Sequence, residues 1–585
     1  MKNRIYCGEI NLTHINQEII LYGWIDNYIN LGKLIFINLR DREGIIQIIF
    51  TSSNKTIFKL ASTLRNNFCV KIIGKVVKKI NKNLNLSTKK IEIVASNLFI
   101  INKSKALPID NNILNTEEIR LKYRYLDLRQ FKMLKIIKNR SIITSIIRLF
   151  LEKNKFLNIE TPILTKSTPE GSRDYLVPSR IHKNKFYALP QSPQIFKQLL
   201  MIAGLDRYYQ IAKCFRDEDL RSDRQPEFTQ VDIEASFVNF NDFKNLIEKM
   251  LCHLWKKIIN ISLEKFSVIT FHNAMSTYGT DKPDLRNPLK LIDLTNLFIK
   301  KNNKIKNNIF NRIVSICINN KYLKNINNKK LDNYKLYINK YGTNNLNIFK
   351  VKNHNLINLS NKNNKSEFFI NDEISKNIIL RNKANNHDLI FLGTEQINGT
   401  LSSMGILRKK LSVDFNLIEK NTWFPLWVIN FPLFKKDKIG KLISMHHPFT
   451  CPIKFNIDDL QNNPENIISD SYDIVINGYE IGSGSGRIYN NKVQQIIFDI
   501  LKIDRQIQKK DFGFFLEALK FGTPPHRGIA LGLDRLVMLL SNTNNIRDVI
   551  VFPKTTSGTC LMTQSPNFIN KYILKELGLL CITEK

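Results

Sequence analysis

Two consecutive predicted strands near the middle of the chain, residues 207–216 and 227–236, carry charged and amide side chains on one face. A loop rich in Asp and Arg joins them over residues 217–225. The side chains that strand alternation places on these faces are Gln210, Ala212, Cys214, Arg216, Phe228, Gln230, Asp232 and Glu234. Because charged groups are costly to bury without partners, a face of this composition is not a core surface. We interpret it as the floor of a binding site.

A hairpin signal further along the chain brings two carboxylates together. The Asn-Gly pair at 477–478 separates two apolar runs, which is typical of a two-residue β-hairpin turn. Pairing Val475 with Glu480 places Asp473 and Glu480 on one face as diagonal neighbours, about 7–8 Å apart at their backbones. Two such carboxylates can share a Mg²⁺ ion, which in turn binds ATP phosphates. The intervening glycines permit a bulge that turns Arg487 towards the same side.

Further candidate residues lie close to a predicted strand-to-helix junction and in a pair of histidines. The strand GIALGL leads into a helix predicted to begin at Asp534, so Arg535 lies in its first turn, where the helix dipole favours phosphate. His446 and His447 are adjacent and would point apart on a strand. No Cys or carboxylate follows them at ligand spacing, which disfavours a zinc site. The sequence assigns no role to Arg527.

These segments resemble the signature motifs of the class II aminoacyl-tRNA synthetases. The FRDE sequence at 215–218 is similar to the second motif, the segment 521–540 to the third, and the helix and strand over 141–165, with Pro162, to the first. The chain as a whole resembles the bacterial-type aspartyl branch of that family, least closely in its insertion. The resemblance implies ATP, Mg²⁺, L-aspartate and aspartate tRNA as ligands, and a homodimer with Pro162 at its interface.

The activity that the resemblance implies has two steps. The α-carboxylate of aspartate attacks the α-phosphorus of ATP, giving aspartyl-adenylate and pyrophosphate, and the terminal ribose hydroxyl of the tRNA then takes the aspartyl group. Such chemistry depends on positioning and charge neutralisation more than on a protein nucleophile. The catalytic residues implied are Arg216 at the α-phosphate, Arg535 at the γ-phosphate, and Glu480, which with Asp473 would hold the Mg²⁺ ion.

Position by position, the resemblance also assigns two binding sets. The residues expected at L-aspartate are Glu170, Gln194, Lys197, Arg216, Asp232, His446, His447 and Arg487. The residues expected at ATP are Arg216, Asp217, Glu218, Gln225, Glu480, Gly532, Leu533, Asp534 and Arg535. Arg487, with Lys197 and His446, would bind the side-chain carboxylate of aspartate. Asparagine would leave a buried guanidinium unpaired, so no editing site is expected.

Several alternatives stand beside this interpretation. A non-discriminating form would also charge asparagine tRNA, although Leu31 resembles the aspartate-specific members. An asparaginyl enzyme should lack both the large insertion and the pairing of Arg487 with Lys197. A non-catalytic tRNA-binding paralogue would have no need of the three catalytic residues. A free-standing ligase that makes aspartyl-adenylate without tRNA would have no need of an N-terminal domain that binds nucleic acid.

Residues 1–107 read as five short strands with a helix between the third and the fourth, which predicts a small OB-type barrel. Alternation turns Ile35 and Ile37 inwards and leaves Phe36 on the outer face. The resemblance implies that Phe36 stacks on anticodon bases while Gln47 and Glu92 read base edges. The arginine-rich turn common in the family is missing here.

The expected fold class is α+β and multidomain, with an OB-type barrel, an antiparallel-sheet catalytic domain and an α/β insertion domain. The predicted divisions are 1–107 for the barrel, 108–140 for a hinge, 141–286 and 421–555 for the catalytic domain, 287–420 for the insertion and 556–585 for a C-terminal extension.

The composition of the chain indicates a globular protein with a polyanionic partner. The 585 residues are 43% hydrophobic and carry a formal net charge of +37. The chain is also rich in Ile, Asn and Lys, as an AT-rich genome encodes, so the charge alone is weak support for nucleic-acid binding. The eight cysteines form no C-x-x-C pair, which argues against disulfides and zinc. No apolar run suits a signal peptide or a membrane span, so we expect a cytoplasmic protein.

Overall fold

The computed structural model describes residues 4–79, 90–109, 115–167, 172–220, 223–299, 312–323, 326–343, 346–359, 370–395, 397–398, 400–437 and 439–580. The chain divides into two compact units. The first consists of Met1–Lys138, Val551–Thr555 and Thr559–Pro566, and the second of Asn139–Ile550, Thr556–Gly558 and Asn567–Lys585. Across the described residues, no helix has the length and apolar character needed to cross a membrane.

The first unit contains a closed five-stranded barrel with the strand order β1-β2-β3-β5-β4. Its strands are β1 (Glu18–Asn30), β2 (Leu34–Arg40), β3 (Ile45–Thr51), β4 (Cys69–Lys78) and β5 (Ile91–Asn102). Ile35 and Ile37 are fully buried inside it, as their alternation predicts. Helix α1 (Lys55–Ala61) lies between β3 and β4 and is capped by Asn54, whose side chain accepts a hydrogen bond from the Ile57 amide. The predicted OB-type barrel is confirmed.

Short helices follow the barrel, and the first long helix leads into the second unit. Helices α2 (Glu117–Lys122) and α3 (Arg124–Asp127) precede α4 (Phe131–Lys153). The remaining helices are α5 (Gln194–Ile202), α6 (Phe240–Ile259), α7 (Phe271–Tyr278), α8 (Thr295–Ile299), α9 (Asn328–Asn339), α10 (Asp372–Asn382), α11 (Ser403–Asp414), α12 (Ile457–Asn462), α13 (Asn491–Ile500), α14 (Arg505–Ala518), α15 (Leu533–Leu540), α16 (Ile546–Val549) and α17 (Lys571–Leu577). Single 3₁₀ turns occur at Leu12–His14, Asn320–Tyr322 and Pro464–Asn466.

The strands of the second unit form one large sheet, a five-stranded sheet and three two-stranded ribbons. In chain order they are β6 (Leu157–Asn158), β7 (Leu176–Pro178), β8 (Phe186–Ala188), β9 (Arg207–Phe215), β10 (Glu227–Ser236), β11 (Ser267–Thr270), β12 (Ile292–Asp293), β13 (Arg312–Ile318), β14 (Asn347–Lys352), β15 (Asn355–Asn358), β16 (Leu389–Glu395), β17 (Ile397–Asn398), β18 (Leu401–Ser402), β19 (Pro425–Ile429), β20 (Phe434–Lys436), β21 (Leu442–Ser444), β22 (Ser471–Ile476), β23 (Tyr479–Gly486) and β24 (His526–Gly532).

The large sheet has eight strands in the order β11-β19-β22-β23-β24-β10-β9-β6 and is antiparallel except at its two edge pairs. One of its faces is covered by α6, which begins at the N-cap Asn239 and ends at Asn260 in the left-handed conformation. Its apolar stripe buries Phe243, Ile247 and Leu251. This sheet confirms the predicted antiparallel catalytic domain and fixes the strands that carry the candidate site.

The five-stranded sheet, ordered β12-β13-β16-β14-β15, lies within the predicted insertion. Apolar side chains cover both of its faces, with Ile316 and Phe391 in one buried cluster and Ile313 and Ile390 in another. Burial on both faces indicates that helices pack on each side of this sheet, so the insertion combines helices and strands as predicted. All of its strand pairs are antiparallel. The Asn/Lys-rich runs around residues 300–311 and 360–369 lie outside the described residues. The predicted domain boundaries stay a prediction.

Candidate active site

A cavity of about 390 Å³ opens over the middle of the large sheet. Its floor is formed by strands β10, β23 and β24, and its rim by α5, the loop after β9 and the start of α15. Charged and amide side chains dominate its lining, as the sequence predicts for the floor of a binding site. The twelve site residues predicted from the sequence that line this cavity are Gln194, Lys197, Arg216, Glu218, Gln225, His446, His447, Glu480, Arg487, Gly532, Asp534 and Arg535.

The register of β9 with β10 joins the two predicted polar faces. Phe228 pairs with Cys214 and Gln230 with Ala212, so alternation brings both sets to one side of the sheet. Arg216 follows β9 directly, and its guanidinium lies 5.0 Å from the centre of the Phe228 ring. Within the described part of the chain, no carboxylate lies within 4.0 Å of this guanidinium. Its charge is therefore available to an anionic ligand.

The hairpin of β22 and β23 contains the bulge that its glycines permit. Val475 pairs with Glu480 as predicted, but Ile474 pairs with Gly482, so Ile481 is an extra residue. This one-residue shift reverses the alternation, and both Glu480 and Arg487 line the cavity as a result. Gly484 has no room for a side chain, since a Cβ atom there would lie 2.3 Å from the Gly528 carbonyl oxygen. The glycine run therefore supplies both the bulge and the close packing of β23 on β24.

A buried network of two cations and two carboxylates closes one end of the cavity. Arg487 donates from Nε to Glu234 Oε1 at 2.9 Å and from Nη2 to Glu234 Oε2 at 3.1 Å. The Nζ atom of Lys197 lies 2.9 Å from Asp232 Oδ1 and 3.7 Å from Glu234 Oε2. Burial tends to raise the pKa of Glu234, but Arg487 and Lys197 outweigh it and hold the pKa below its usual value. Glu234 is therefore ionised at neutral pH.

His447, rather than His446, contacts the arginine of this network. Its Nε2 atom accepts a hydrogen bond from Arg487 Nη1 at 2.6 Å, and Nη1 also donates to Ser485 Oγ at 2.7 Å. Burial, together with the positive charge of Arg487, holds the pKa of His447 well below its ordinary value. A neutral imidazole can accept from the guanidinium, and a protonated one cannot. His446 lines the cavity further along, with its ring edge-on to Phe431.

The predicted metal ligands lie on the β22–β23 hairpin next to His446 and Lys282. Asp473 Oδ1 is buried without a hydrogen-bond partner, 3.4 Å from His446 Nε2. Glu480 Oε2 lies 2.5 Å from the Nζ atom of Lys282. Burial opposes ionisation of Glu480, but Lys282 and Arg535 lower its pKa to about 2. No third His, Cys, Asp or Glu joins them at metal-binding distance among the residues that the structure describes. An all-oxygen pair with one unsatisfied atom fits Mg²⁺, which keeps waters and phosphate oxygens as its other ligands.

Arg535 lies in the first turn of α15 and lines the same cavity. Its Nη1 atom donates to the Glu480 carbonyl oxygen at 2.8 Å, and its Nη2 atom lies 3.8 Å from Asp223 Oδ2. Asp534, beside it, has both carboxylate oxygens occupied, since Oδ1 accepts from Arg140 at 2.6 Å and Oδ2 from the Thr229 amide at 2.9 Å. Asp534 therefore anchors the start of the helix, and Arg535 is the residue whose charge faces the cavity.

Of the residues predicted at aspartate, ATP and Mg²⁺ that the structure describes, four do not line the cavity. Asp232 and Asp473 lie behind Lys197 and His446 respectively. Asp217 Oδ2 lies 3.9 Å from the Arg173 Nε atom, and Leu533 is buried in the core. Their contact with ATP stays a prediction. A residue of an N-terminal helical turn faces the side set by the helix period, and at position 533 that side is the core. Glu170 lies outside the described residues.

Sequence reasoning missed three residues with clear partners in this region. Glu234 was placed on the polar face without a role, although its spacing of two from Asp232 pointed to the same site. Lys282 follows α7, about two hundred residues from the hairpin that it contacts, and no local pattern signals it. Arg527 donates from Nη2 to Asp470 Oδ2 at 3.1 Å and from Nε to the Val238 carbonyl at 3.1 Å. Arg527 thus ties β24 to the segment before β22.

The three predicted anticodon residues share the outer face of the barrel. Asn38 pairs with Gln47 across β2 and β3, and Phe36 lies two residues from Asn38 on the same side. Gln47 accepts a hydrogen bond from Lys79, and Glu92 lies on the neighbouring strand β5. Burial raises the pKa of Glu92, although Lys79 partly offsets this. The barrel therefore presents an aromatic ring beside polar groups, as a base-binding surface requires.

Two family models match the chain. The model described as tRNA synthetases class II (D, K and N) matches residues 116–556, and the model described as OB-fold nucleic acid binding domain matches residues 19–101. The aspartate–tRNA ligase of Buchnera aphidicola subsp. Acyrthosiphon pisum (strain Tuc7) is 51% identical over 587 residues, with 98% of each chain covered. That of Buchnera aphidicola subsp. Baizongia pistaciae (strain Bp) is 52% identical over 577 residues, covering 96% of this chain and 99% of the relative.

Solved structures share the fold at lower identity. The asparaginyl-tRNA synthetase from Pyrococcus horikoshii complexed with asparaginyl-adenylate superposes with a TM-score of 0.59 at 18% identity, covering 95% of this chain and 99% of that chain. The aspartyl tRNA synthetase from Entamoeba histolytica gives a TM-score of 0.57 at 17% identity, covering 94% of this chain and 91% of that chain. At these identities the likeness concerns the arrangement of the backbone.

Proposed function

The chain belongs to the class II tRNA synthetases of the D, K and N group, and from that premise we propose how its cavity selects and activates L-aspartate. The relatives that match over nearly the full chain are named aspartate–tRNA ligase, and the chain is an ATP-dependent ligase that charges aspartate tRNA. We expect it to act in the cytoplasm. Its cavity would bind aspartate at the buried end beside Arg487 and the phosphates of ATP between Arg216 and Arg535.

Selection of aspartate rests on the Arg487 network. Glu234 holds the guanidinium rigidly from one side, while the arginine still lines the cavity. Arg487 and Lys197 would together bind the side-chain carboxylate of aspartate by charge-assisted hydrogen bonds. The side-chain NH₂ group of asparagine is itself a hydrogen-bond donor, so it cannot accept hydrogen bonds from Arg487 and Lys197. Such a mismatch in a buried site discriminates strongly, because the polar groups of the site are left unpaired.

The other end of the amino acid would be held by Asp232 and Gln194. Asp232 Oδ2 and Gln194 Nε2 are both buried and have no hydrogen-bond partner in the protein. An acceptor and a donor left unsatisfied in this way suit the α-ammonium and α-carboxylate groups. Glu170 is a further proposed contact of the ammonium. His446 and His447 complete the aspartate-binding set, with His447 acting through its hydrogen bond to Arg487.

Activation of aspartate requires that the negative charge of the ATP phosphates be neutralised, so that the α-carboxylate can attack the α-phosphorus. Arg216 would contact the α-phosphate and Arg535 the γ-phosphate, while Asp473 and Glu480 would hold a Mg²⁺ ion that supplies charge neutralisation between them. An oxygen of the aspartate α-carboxylate forms a bond to the α-phosphorus, and the bond to pyrophosphate breaks. In the second step the terminal ribose hydroxyl of tRNA attacks the aspartyl carbonyl, AMP leaves and the hydroxyl proton is released. Glu218 and Gln225, on the cavity wall, would contact the adenosine part.

We also infer a homodimer. Large apolar side chains remain exposed along the segment that resembles the first class II motif, namely Leu149, Leu157, Ile163 and Leu164. Exposed apolar residues concentrated in one stretch are typical of protein interfaces. A second copy of this chain is the partner that the family resemblance implies.

The experiment that tests the proposed function is ATP–pyrophosphate exchange with aspartate and asparagine in parallel, followed by charging of both cognate tRNAs. The expected result is exchange with aspartate alone and charging of aspartate tRNA alone. Exchange with asparagine at a comparable rate would overturn the specificity assigned to Arg487. Charging of both tRNAs with aspartate would identify a non-discriminating enzyme, and absence of exchange with either amino acid would identify a tRNA-binding module.

A further inference from the structure

One partly exposed cation of the cavity has no role in the proposed activation of aspartate. Lys282 follows α7 and lines the cavity beside Glu480, whose Oε2 atom lies 2.5 Å from its Nζ atom. Its side chain is 38% exposed, whereas that of Lys197 is 1% exposed and is enclosed by Asp232 and Glu234. An ammonium group has three donors. Lys282 therefore keeps donors that can reach a ligand.

Lys282 lies beside residues that would bind the polyphosphate of ATP. Its ammonium contacts the carboxylate that would hold the Mg²⁺ ion, and the Glu480 carbonyl is bound by Arg535. Lys282 and Arg535 therefore contact the same residue, Lys282 at its carboxylate and Arg535 at its backbone. Lysine serves as a point charge at phosphate oxygens in many nucleotide sites.

We propose that Lys282 is a further catalytic residue, whose ammonium contacts the β- and γ-phosphates of ATP and stabilises the departing pyrophosphate. This inference rests on the proposed function, since it places ATP in the same cavity. Lys282 and Arg535 then bracket the leaving group, and Arg216 remains at the phosphorus under attack. The added positive charge stabilises negative charge that develops as the bond to pyrophosphate breaks.

The insertion holds the backbone that carries this lysine. Arg408, a buried arginine of α11, donates to three carbonyl oxygens of the loop after α7, those of Asp284 at 3.2 Å, Asn287 at 3.1 Å and Leu289 at 2.6 Å. The Asp281 amide donates to the Thr400 carbonyl at 3.1 Å. Backbone groups before and after Lys282 are thus held by hydrogen bonds to the insertion.

A close approach of two glycines supports the same loop. A Cβ atom at Gly405, on α11, would lie 2.3 Å from the Gly279 carbonyl oxygen, and Gly279 has a φ of +67°. The Ser402 amide also donates to that carbonyl at 2.9 Å. Residues 400–408 therefore form a rigid support under the loop. We infer that the insertion positions Lys282, with Arg408 as the positioning residue.

The first test compares Lys282→Ala with the matched control Lys290→Ala, which removes an exposed lysine from the same loop. Binding of ATP, AMP and pyrophosphate to the full-length protein is measured by calorimetry without amino acid or tRNA. Loss of one charge-assisted hydrogen bond predicts at least about tenfold weaker ATP and pyrophosphate binding. AMP binding and the thermal midpoint should not change, and the control should bind all three ligands normally.

The outcomes distinguish failure of the proposed function from failure of the role of Lys282. If the unaltered chain binds no ATP, the proposed function fails. If it binds ATP and Lys282→Ala binds ATP and pyrophosphate equally well, the lysine has no phosphate contact and this inference alone is overturned. Equal weakening of ATP and AMP binding would also overturn it, because that result indicates a structural role.

The second test concerns the support from the insertion. Arg408→Lys keeps the charge but cannot donate to three carbonyls from one planar group. Hydrogen exchange should accelerate at the amides of residues 279–291, and ATP binding should weaken. Adding Lys282→Ala to Arg408→Lys should cause little further loss, since both changes act on one contact. Faster exchange with unchanged ATP affinity would show that the insertion does not position Lys282.

Discussion

Arg487 and Glu234 meet through two parallel hydrogen bonds, 2.9 Å and 3.1 Å long, although 253 residues separate them in the chain. Both side chains are fully enclosed. The pair fixes the guanidinium plane at the end of β23 against the central strand β10. Geometry of this kind orients a charged group before the substrate arrives, so little reorganisation remains when it binds.

Removal of the arginine should therefore affect recognition of aspartate first. We expect Arg487→Leu to abolish aspartate-dependent ATP–pyrophosphate exchange while calorimetric ATP binding persists. The same change removes one of the two cations that lie next to the buried Glu234 carboxylate. Loss of one partner of a buried ion pair destabilises a protein by about 3–5 kcal/mol. Urea unfolding measures that cost. Arg505→Leu removes an exposed arginine and serves as control. Unchanged exchange in Arg487→Leu would contradict the assignment of the aspartate site.

Arg527 and Asp470 should act as a positioning pair for the neighbouring strand end. A Cβ atom at Gly486 would lie 2.2 Å from Asp470 Oδ2, so the ion pair packs directly against the residue before Arg487. We expect Arg527→Ala and Asp470→Asn each to raise KM for aspartate more than they lower kcat. The double variant should resemble either single one, with a coupling energy of about 0.5–3 kcal/mol. Additive effects would show that the two residues act independently.

Stability should decrease on acidification because of His447. The pKa of this buried histidine is held well below 6.5, so the unfolded chain binds a proton just below pH 6.5 and the folded chain does not. The neutral His447 side chain therefore makes its full contribution to the free energy of unfolding above pH 6.5, and this contribution is lost as the pH falls. His447→Asn should flatten that dependence by up to about 1.4 kcal/mol per pH unit. Urea unfolding from pH 5 to 7 measures it, and an identical slope in His447→Asn and in the exposed-site control His272→Asn would refute this origin.

The proposed dimer predicts a sharp response at Leu149, which is 67% exposed. Leu149→Glu places a charge on the apolar stretch and should shift the protein towards monomer. Light scattering coupled to gel filtration measures the mass. Leu336→Glu alters a similarly exposed leucine of α9 and should leave the mass unchanged. A full-mass dimer in the Leu149 variant would place the interface elsewhere.

The barrel should contribute to tRNA binding and not to amino-acid activation. Phe36→Ala removes the aromatic ring of the proposed anticodon face, and loss of one stacked base costs about 1–3 kcal/mol. We expect KM for aspartate tRNA to rise while tRNA-free pyrophosphate exchange is unaltered. Phe99→Ala removes an exposed phenylalanine of β5 and should leave that KM near its original value. Equal effects of the two substitutions would argue against a specific role for Phe36.

Local patterns in the sequence were sufficient to predict the strands and the faces that build the site. Alternation placed Gln230 and Asp232 on one side of β10, and the Asn-Gly turn predicted the pairing of Val475 with Glu480. These features depend on residues close in the chain, where the strand period and turn geometry act directly. Arg216, Arg487 and Arg535, three of the four arginines that line the cavity among the described residues, were predicted in this way together with the family resemblance.

The sequence by itself determined which chemical groups the site contains, and the tertiary structure decided which groups are paired and which remain available. Glu234 binds Arg487, Asp534 anchors α15 through Arg140, and Lys282 reaches Glu480 from a loop supported by the insertion. Which side chains become ion-pair partners depends on the order and register of strands that are distant in the chain. Ion pairing at a few ångströms depends on that register to within one residue, because a single shift moves each side chain to the opposite face.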